Sequence, residues 1–125
     1  MVLLHQSDRI NKAIAANAGV YTFPDSEGDY PYSLPEQHPP LANAFKKELI
    51  VLLGELDNSS ESGKLDESES ALRQGKHRLE RGKQFFATSK KIARNLALPF
   101  NWKLQIVPNT GHDKRLMIQA AAELL

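Results

Sequence analysis

Alternation of strand-like and helix-like segments predicts an α/β fold: a small parallel sheet of about three strands with flanking helices. Two observations carry that expectation. The run Leu49–Leu53 is continuously apolar and partly β-branched, the pattern of a strand covered on both faces. Between it and a second short apolar run, Trp102–Val107, lies a segment with helical periodicity from Glu69 to Leu96.

The chain has 125 residues, enough for a single domain at most, and 41% hydrophobic residues, enough for a packed core. A net charge of +1 argues against a polyanionic partner, so nucleic acid is not expected. With no cysteine there are no disulfides, no thiolate catalysis and no cysteine zinc site. No apolar run approaches the roughly 18 residues of a membrane span. Met1, Val2, Leu3 and Leu4 make too short an apolar run for a secretion signal, and a cytoplasmic setting is expected.

In chain order, residues 1–12 read as the tail of a helix with Leu3, Leu4 and Ile10 on its buried face. Ala13–Ala16 read as a short buried strand ended by Asn17, Ala18 and Gly19. Residues 18–40 form a loop or cap-like segment. Here five of the seven prolines fall between Val20 and Pro40, together with Tyr21, Phe23, Tyr30 and Tyr32. Proline at this density forbids regular helix or central strand. Its aromatics suit either a cover over a pocket or a surface meander packed on its own tyrosines.

Leu41–Lys47 suits a short helix, and the strand Leu49–Leu53 then ends in Gly54-Glu55-Leu56-Asp57. Functional residues in open parallel sheets lie just beyond the carboxyl ends of strands, where Asp57 falls. Asp57 also serves equally well as a turn opener with Asn58 and Ser59. A polar, serine-rich loop leads to the long helix expected over Glu69–Leu96. Its seam runs through Leu72, Gly75, Leu79, Gly82, Phe86, Ser89, Ala93 and Leu96. Each glycine there costs about 1 kcal/mol relative to alanine, which points to close approach of another backbone or to a kink. Arg73, Lys76, Arg78, Arg81, Lys83, Lys90, Lys91 and Arg94 read as its outer face, either solvated or an anion-binding patch.

After the strand Trp102–Val107 comes Pro108-Asn109-Thr110-Gly111-His112-Asp113, and then Leu116, Met117, Ala120, Ala121 and Leu124 at helical spacing. Asp113 is the expected helix cap. His112 thus lies at a strand–loop–helix junction, beside a helix N-terminus that disfavours the imidazolium. A general base must be neutral, so His112 is a candidate base; a turn-capping role fits the same position. His5, His38 and His77 lack metal-ligand spacing, and neither metal nor cofactor is expected.

The segments Leu52-Leu53-Gly54-Glu55-Leu56-Asp57 and Val107-Pro108-Asn109-Thr110-Gly111-His112 resemble the C-terminal half of an α/β-hydrolase. Ala15-Ala16-Asn17-Ala18-Gly19-Val20-Tyr21-Thr22, Gln74-Gly75-Lys76-His77-Arg78 and Arg81-Gly82 resemble recurring segments of bacterial members of unassigned substrate. The resemblance implies a partial α/β-hydrolase fold over residues 1–125, with Asp57 as triad acid and His112 as triad base. The nucleophile of that family sits in a G-x-S-x-G elbow upstream of the acid, and this sequence has no such motif. Elbow, oxyanion-hole loop and first strands would all precede Met1.

The expectation is therefore a C-terminal portion of a serine hydrolase, acting on small-molecule esters or amides in a complete enzyme and inactive alone. Tyr21, Phe23, Tyr30 and Tyr32 would contribute to its pocket cover. Alone, it should expose the flank of the Ala13–Ala16 strand, inviting a missing N-terminal half or self-association. The competing expectation is a small binding protein that uses the basic face of the 70–96 helix, with Arg78 and Arg81 central.

Overall fold

The computed structural model describes residues 12–35, 40–59 and 64–125. The expected helix tail before Lys12, and His5 and His38, lie outside these residues. The elements are β1 (Lys12–Ala16), α1 (Leu41–Lys46), β2 (Glu48–Gly54), α2 (Glu69–Leu72), α3 (Arg78–Asn95), β3 (Lys103–Val107) and α4 (Lys114–Ala122). The three strands form one parallel sheet in the order β1-β2-β3. Ile14 pairs with Ile50, and Leu52 with Gln105. The expected α/β arrangement, three parallel strands with flanking helices, is present.

Burial follows the sequence pattern. Every residue from Leu49 to Gly54 is buried in central β2, whereas β1 and β3 are exposed or half-buried. Among the described residues, the outer edge of β1 has no strand neighbour. The core lies on the α3 side of the sheet, where Phe85 stacks on Trp102 and Phe45 meets Trp102 edge-on. The Trp102 indole Nε1 donates to Ala44 O at 2.9 Å, so its buried N–H is satisfied.

The helix expected over Glu69–Leu96 is not continuous. It breaks between Leu72 and Arg78. Gly75 has φ +143°, a conformation side-chain-bearing residues rarely adopt, and its carbonyl accepts from Arg81 Nε at 2.8 Å. His77 then restarts the helix, its Nδ1 accepting from Glu80 N. Of the two explanations for glycine on the seam, Gly75 gives the break. Gly82 gives the close approach, although to a side chain rather than a backbone: a Cβ there would lie 2.4 Å from Leu53 Cδ2.

The basic face is also corrected. Arg78 and Arg81 are buried, Arg81 completely. Arg81 donates to three backbone carbonyls: Gly75 O at 2.8 Å, Gly19 O at 2.7 Å and Asp66 O at 2.8 Å. Burial pulls its guanidinium below the usual range, with Asp66 opposing that shift. Five donors on a rigid fork let one side chain tie three loops together. The exposed basic residues Lys83, Lys90, Lys91 and Arg94 remain on α3, but the two arginines central to a binding face are structural.

The proline-rich segment is likewise less a cover than a packed wall. The Tyr21 ring stacks on Phe85 at 4.5 Å, and Phe23 meets Phe85 edge-on at 5.7 Å. Gln74 grips the loop as a strand would: its Oε1 accepts from Tyr21 N, and its Nε2 donates to Tyr21 O. Tyr32 donates its hydroxyl to Asp66 Oδ2 at 2.6 Å. That bond, with help from Ser68, holds the Asp66 carboxyl below the usual carboxylate range. Tyr30 is 63% exposed.

Candidate functional site

At the carboxyl ends of the strands, three chain segments are laced together by hydrogen bonds from backbone and side chains. Asn17, with φ 45°, donates its N–H to Leu52 O, accepts from Gly54 N at 2.8 Å and donates Nδ2 to Gly111 O at 3.3 Å. Asparagine tolerates this left-handed backbone better than most residues, and its short amide reaches both neighbours. Leu56 N donates to Thr110 O at 2.8 Å, and Glu55 N to Val107 O at 3.0 Å. Asn109, also left-handed, donates its N–H to Glu55 Oε1. Gly54 permits the contact: a Cβ there would lie 2.4 Å from Thr110 O and 2.8 Å from Gly111 O.

This lacing sets Asp57 against His112. After the turn closed by Asp57 N donating to Gly54 O, the Asp57 side chain is wholly buried. Its own carbonyl accepts from Leu79 N and so serves the first turn of α3. Asp57 Oδ2 lies 3.1 Å from His112 Nδ1, with the imidazole side chain 37% exposed. An ionised carboxylate only accepts, so Nδ1 carries the proton in this contact and Nε2 is the nitrogen left to take one. Asp113 caps α4 as expected, accepting from Leu116 N at 3.0 Å.

His112 opens onto a mainly apolar groove of about 290 Å³ between the end of β1 and α4, lined by Ala16, Asn17, Met117, Ile118 and Ala121. Phe23 and Tyr32 instead line a separate cavity of about 320 Å³ with Asp25, Glu27 and Gln74. The aromatic segment therefore contributes nothing to the His112 groove within the described residues. Among those residues, no three His, Asp or Glu side chains gather in an arrangement able to hold a metal. No helix among them is long and apolar enough to cross a membrane.

The sequence singled out both members of this pair. It named Asn17, Gln74 and Arg81 within segments that resemble the family, but did not reveal that Asn17 ties the strand ends or that Gln74 and Arg81 secure the surrounding loops.

No protein-family model matches the chain, and no curated protein sequence matches it. Solved structures do, two hydrolases among them. Poly(aspartic acid) hydrolase-1 from Sphingomonas sp. KT-1 superposes with a TM-score of 0.84 and 39% identity, over 90% of this chain and 44% of that one. LpqC, a poly(3-hydroxybutyrate) depolymerase from Bordetella parapertussis, superposes with a TM-score of 0.81 and 35% identity, over 89% of this chain and 38% of that one. The chain thus spans less than half the length of either hydrolase. By its three-stranded parallel sheet and its likeness to both enzymes, the chain has a partial α/β-hydrolase fold.

Proposed function

We propose that this chain supplies the acid and the base of a Ser–His–Asp hydrolytic site, completed by a serine carried on a separate or longer polypeptide. The observation that carries this reading is the 3.1 Å contact between buried Asp57 and half-exposed His112. In the reaction, Asp57 orients the imidazole, and His112 Nε2 takes the serine proton as the hydroxyl attacks an acyl carbon. The imidazolium that forms is stabilised by the Asp57 carboxylate. It then returns the proton to the leaving alcohol or amine.

The substrate class is a small-molecule or oligomeric ester or amide. Support comes from the two similar structures, one named for an amide-linked polymer and one for a polyester. Alone, the chain is inactive because no G-x-S-x-G elbow presents a nucleophile to His112. Among the described residues the outer edge of β1 has no strand neighbour, and that edge with the apolar groove beside it makes association with the nucleophile-bearing part, or self-association, the expected state. A cytoplasmic setting fits the cysteine-free composition.

The test is reconstitution. The chain is co-expressed with a segment of a similar hydrolase bearing its G-x-S-x-G serine, and short-chain p-nitrophenyl ester hydrolysis is measured. Turnover that requires both polypeptides and disappears with His112→Ala supports the proposal; turnover indifferent to His112→Ala contradicts it.

A further inference from the structure

One oxygen of Asp57 is used and the other is not. Oδ2 contacts His112, while Oδ1 is buried with no hydrogen-bond partner. Among the described residues, one other buried side-chain polar atom lacks a partner: the hydroxyl of Tyr21. One is an acceptor without a donor and the other a donor without an acceptor. Leaving either unsatisfied carries the desolvation penalty of a buried polar group, which bringing them together removes.

The fold delivers both to one place. Ala16 pairs with Leu52, and Asn17 bonds to Gly54, so the segments leaving β1 and β2 run out of the sheet side by side. Tyr21 follows on the first segment and Asp57 on the second. Gln74 pins the Tyr21 backbone, bonding its N–H at 2.9 Å and its carbonyl at 2.6 Å. Phe85 stacks on its ring, and Phe85 belongs to α3, whose first turn is held by the Asp57 carbonyl. The phenol therefore has little freedom to swing elsewhere. Burial pushes it upward, opposed by the Ala18 backbone and reinforced by the charge of Asp57. It stays protonated, and so remains a donor, throughout the neutral range.

We infer that Tyr21 is a positioning residue for the acid: its O–H serves Asp57 Oδ1 and thereby holds Oδ2 on His112 Nδ1. The inference rests on the reading of Asp57 as triad acid. The terminal torsion of an aspartate is broad, so a carboxylate tied at one oxygen can rock away from the imidazole. A second tie at Oδ1 stops that motion. Both atoms are unbonded as they stand, so the tie requires rotation of the carboxylate or a buried water shared between them. Tyr21 touches no reacting atom and acts only through Asp57.

The experiment labels Cζ of the three tyrosines with 13C and compares the chain with its Asp57→Asn variant by NMR. The Tyr21 resonance is expected to move while those of Tyr30 and Tyr32 stay, with the Tyr21 hydroxyl proton in slow exchange. In the reconstituted enzyme, Tyr21→Phe, which keeps the ring and its stacking, is expected to lower kcat about tenfold at unchanged KM. That is the rate equivalent of one hydrogen bond to a charged group. An unmoved Tyr21 resonance, or full kcat in folded Tyr21→Phe, overturns the inference. Absence of hydrolysis in every reconstituted form overturns the triad reading instead, and the resonance comparison, which needs no activity, still decides the contact.

Discussion

His112 Nδ1 lies 3.1 Å from Asp57 Oδ2, although the two residues are 55 positions apart in the chain. The contact depends on Gly54, over which the His112 loop passes too closely for any side chain. It depends equally on Asn17, which bonds to both segments. The pair is thus built by the ends of all three strands rather than by either loop alone.

Removing the Asp57 charge while keeping its shape should leave the fold and abolish most catalysis. Asp57→Asn in the reconstituted enzyme is expected to lower kcat about 10⁴-fold, as loss of the orienting acid does in serine proteases. Steady-state kinetics on ester substrate, with circular dichroism as the folding control, checks this. A loss of tenfold or less would show that Asp57 does not govern the imidazole.

Gly54→Ala places a methyl group 2.4 Å from the Thr110 carbonyl oxygen, and neither backbone can yield without breaking the lacing of the site. A destabilisation of about 1–3 kcal/mol is expected. It would be read as a lower urea midpoint at unchanged slope. The same substitution at exposed Gly28, outside the site, is expected to leave the His112 ring resonances unmoved, whereas Gly54→Ala shifts them.

Arg81 satisfies three backbone carbonyls from separate loops. Lysine cannot reproduce that fork, so Arg81→Lys is expected to be no rescue of Arg81→Ala. Each carbonyl left buried and unsatisfied costs about 1–3 kcal/mol, and both variants should unfold at markedly lower urea. A lysine variant as stable as the parent would mean that charge, not geometry, is what the site needs.

The Tyr32–Asp66 bond makes a pH-dependent clasp on the proline-rich loop. Asp66 sits below its ordinary value in the folded chain, chiefly because Tyr32 donates to it. An acid whose folded pKa is depressed adds stability above its unfolded value, near 3.9, and loses it as pH falls through the folded value. Hydrogen exchange of the amides of residues 21–34 is expected to accelerate over that acidic window. In Tyr32→Phe this pH dependence should flatten, and an unchanged profile would assign it to another carboxylate.

Much of this was legible in the sequence because the signals were local. Leu49–Leu53 announced a strand buried on both faces, and the position of Asp57 and His112 beyond strand ends marked them as candidates. The errors share a cause: a period shows spacing but not the partners met in three dimensions. The seam through Leu72, Leu79 and Phe86 continues in register past Gly75, so the break before His77 was invisible. Arg81 lies among basic residues that do face water. Only the carbonyls of Gly19, Asp66 and Gly75, converging from three loops, draw it inward. Tyr21 read as cover because proline surrounds it, yet Phe85 and Gln74 hold it in the core.

The most direct measurement is a long-range 1H–15N NMR correlation of the His112 ring in the chain and in Asp57→Asn. A neutral ring protonated at Nδ1, with that preference weakened in the variant, is the expected result and leaves Nε2 as the base. A ring protonated at Nε2, unaffected by the variant, would contradict the pairing on which the hydrolytic reading stands.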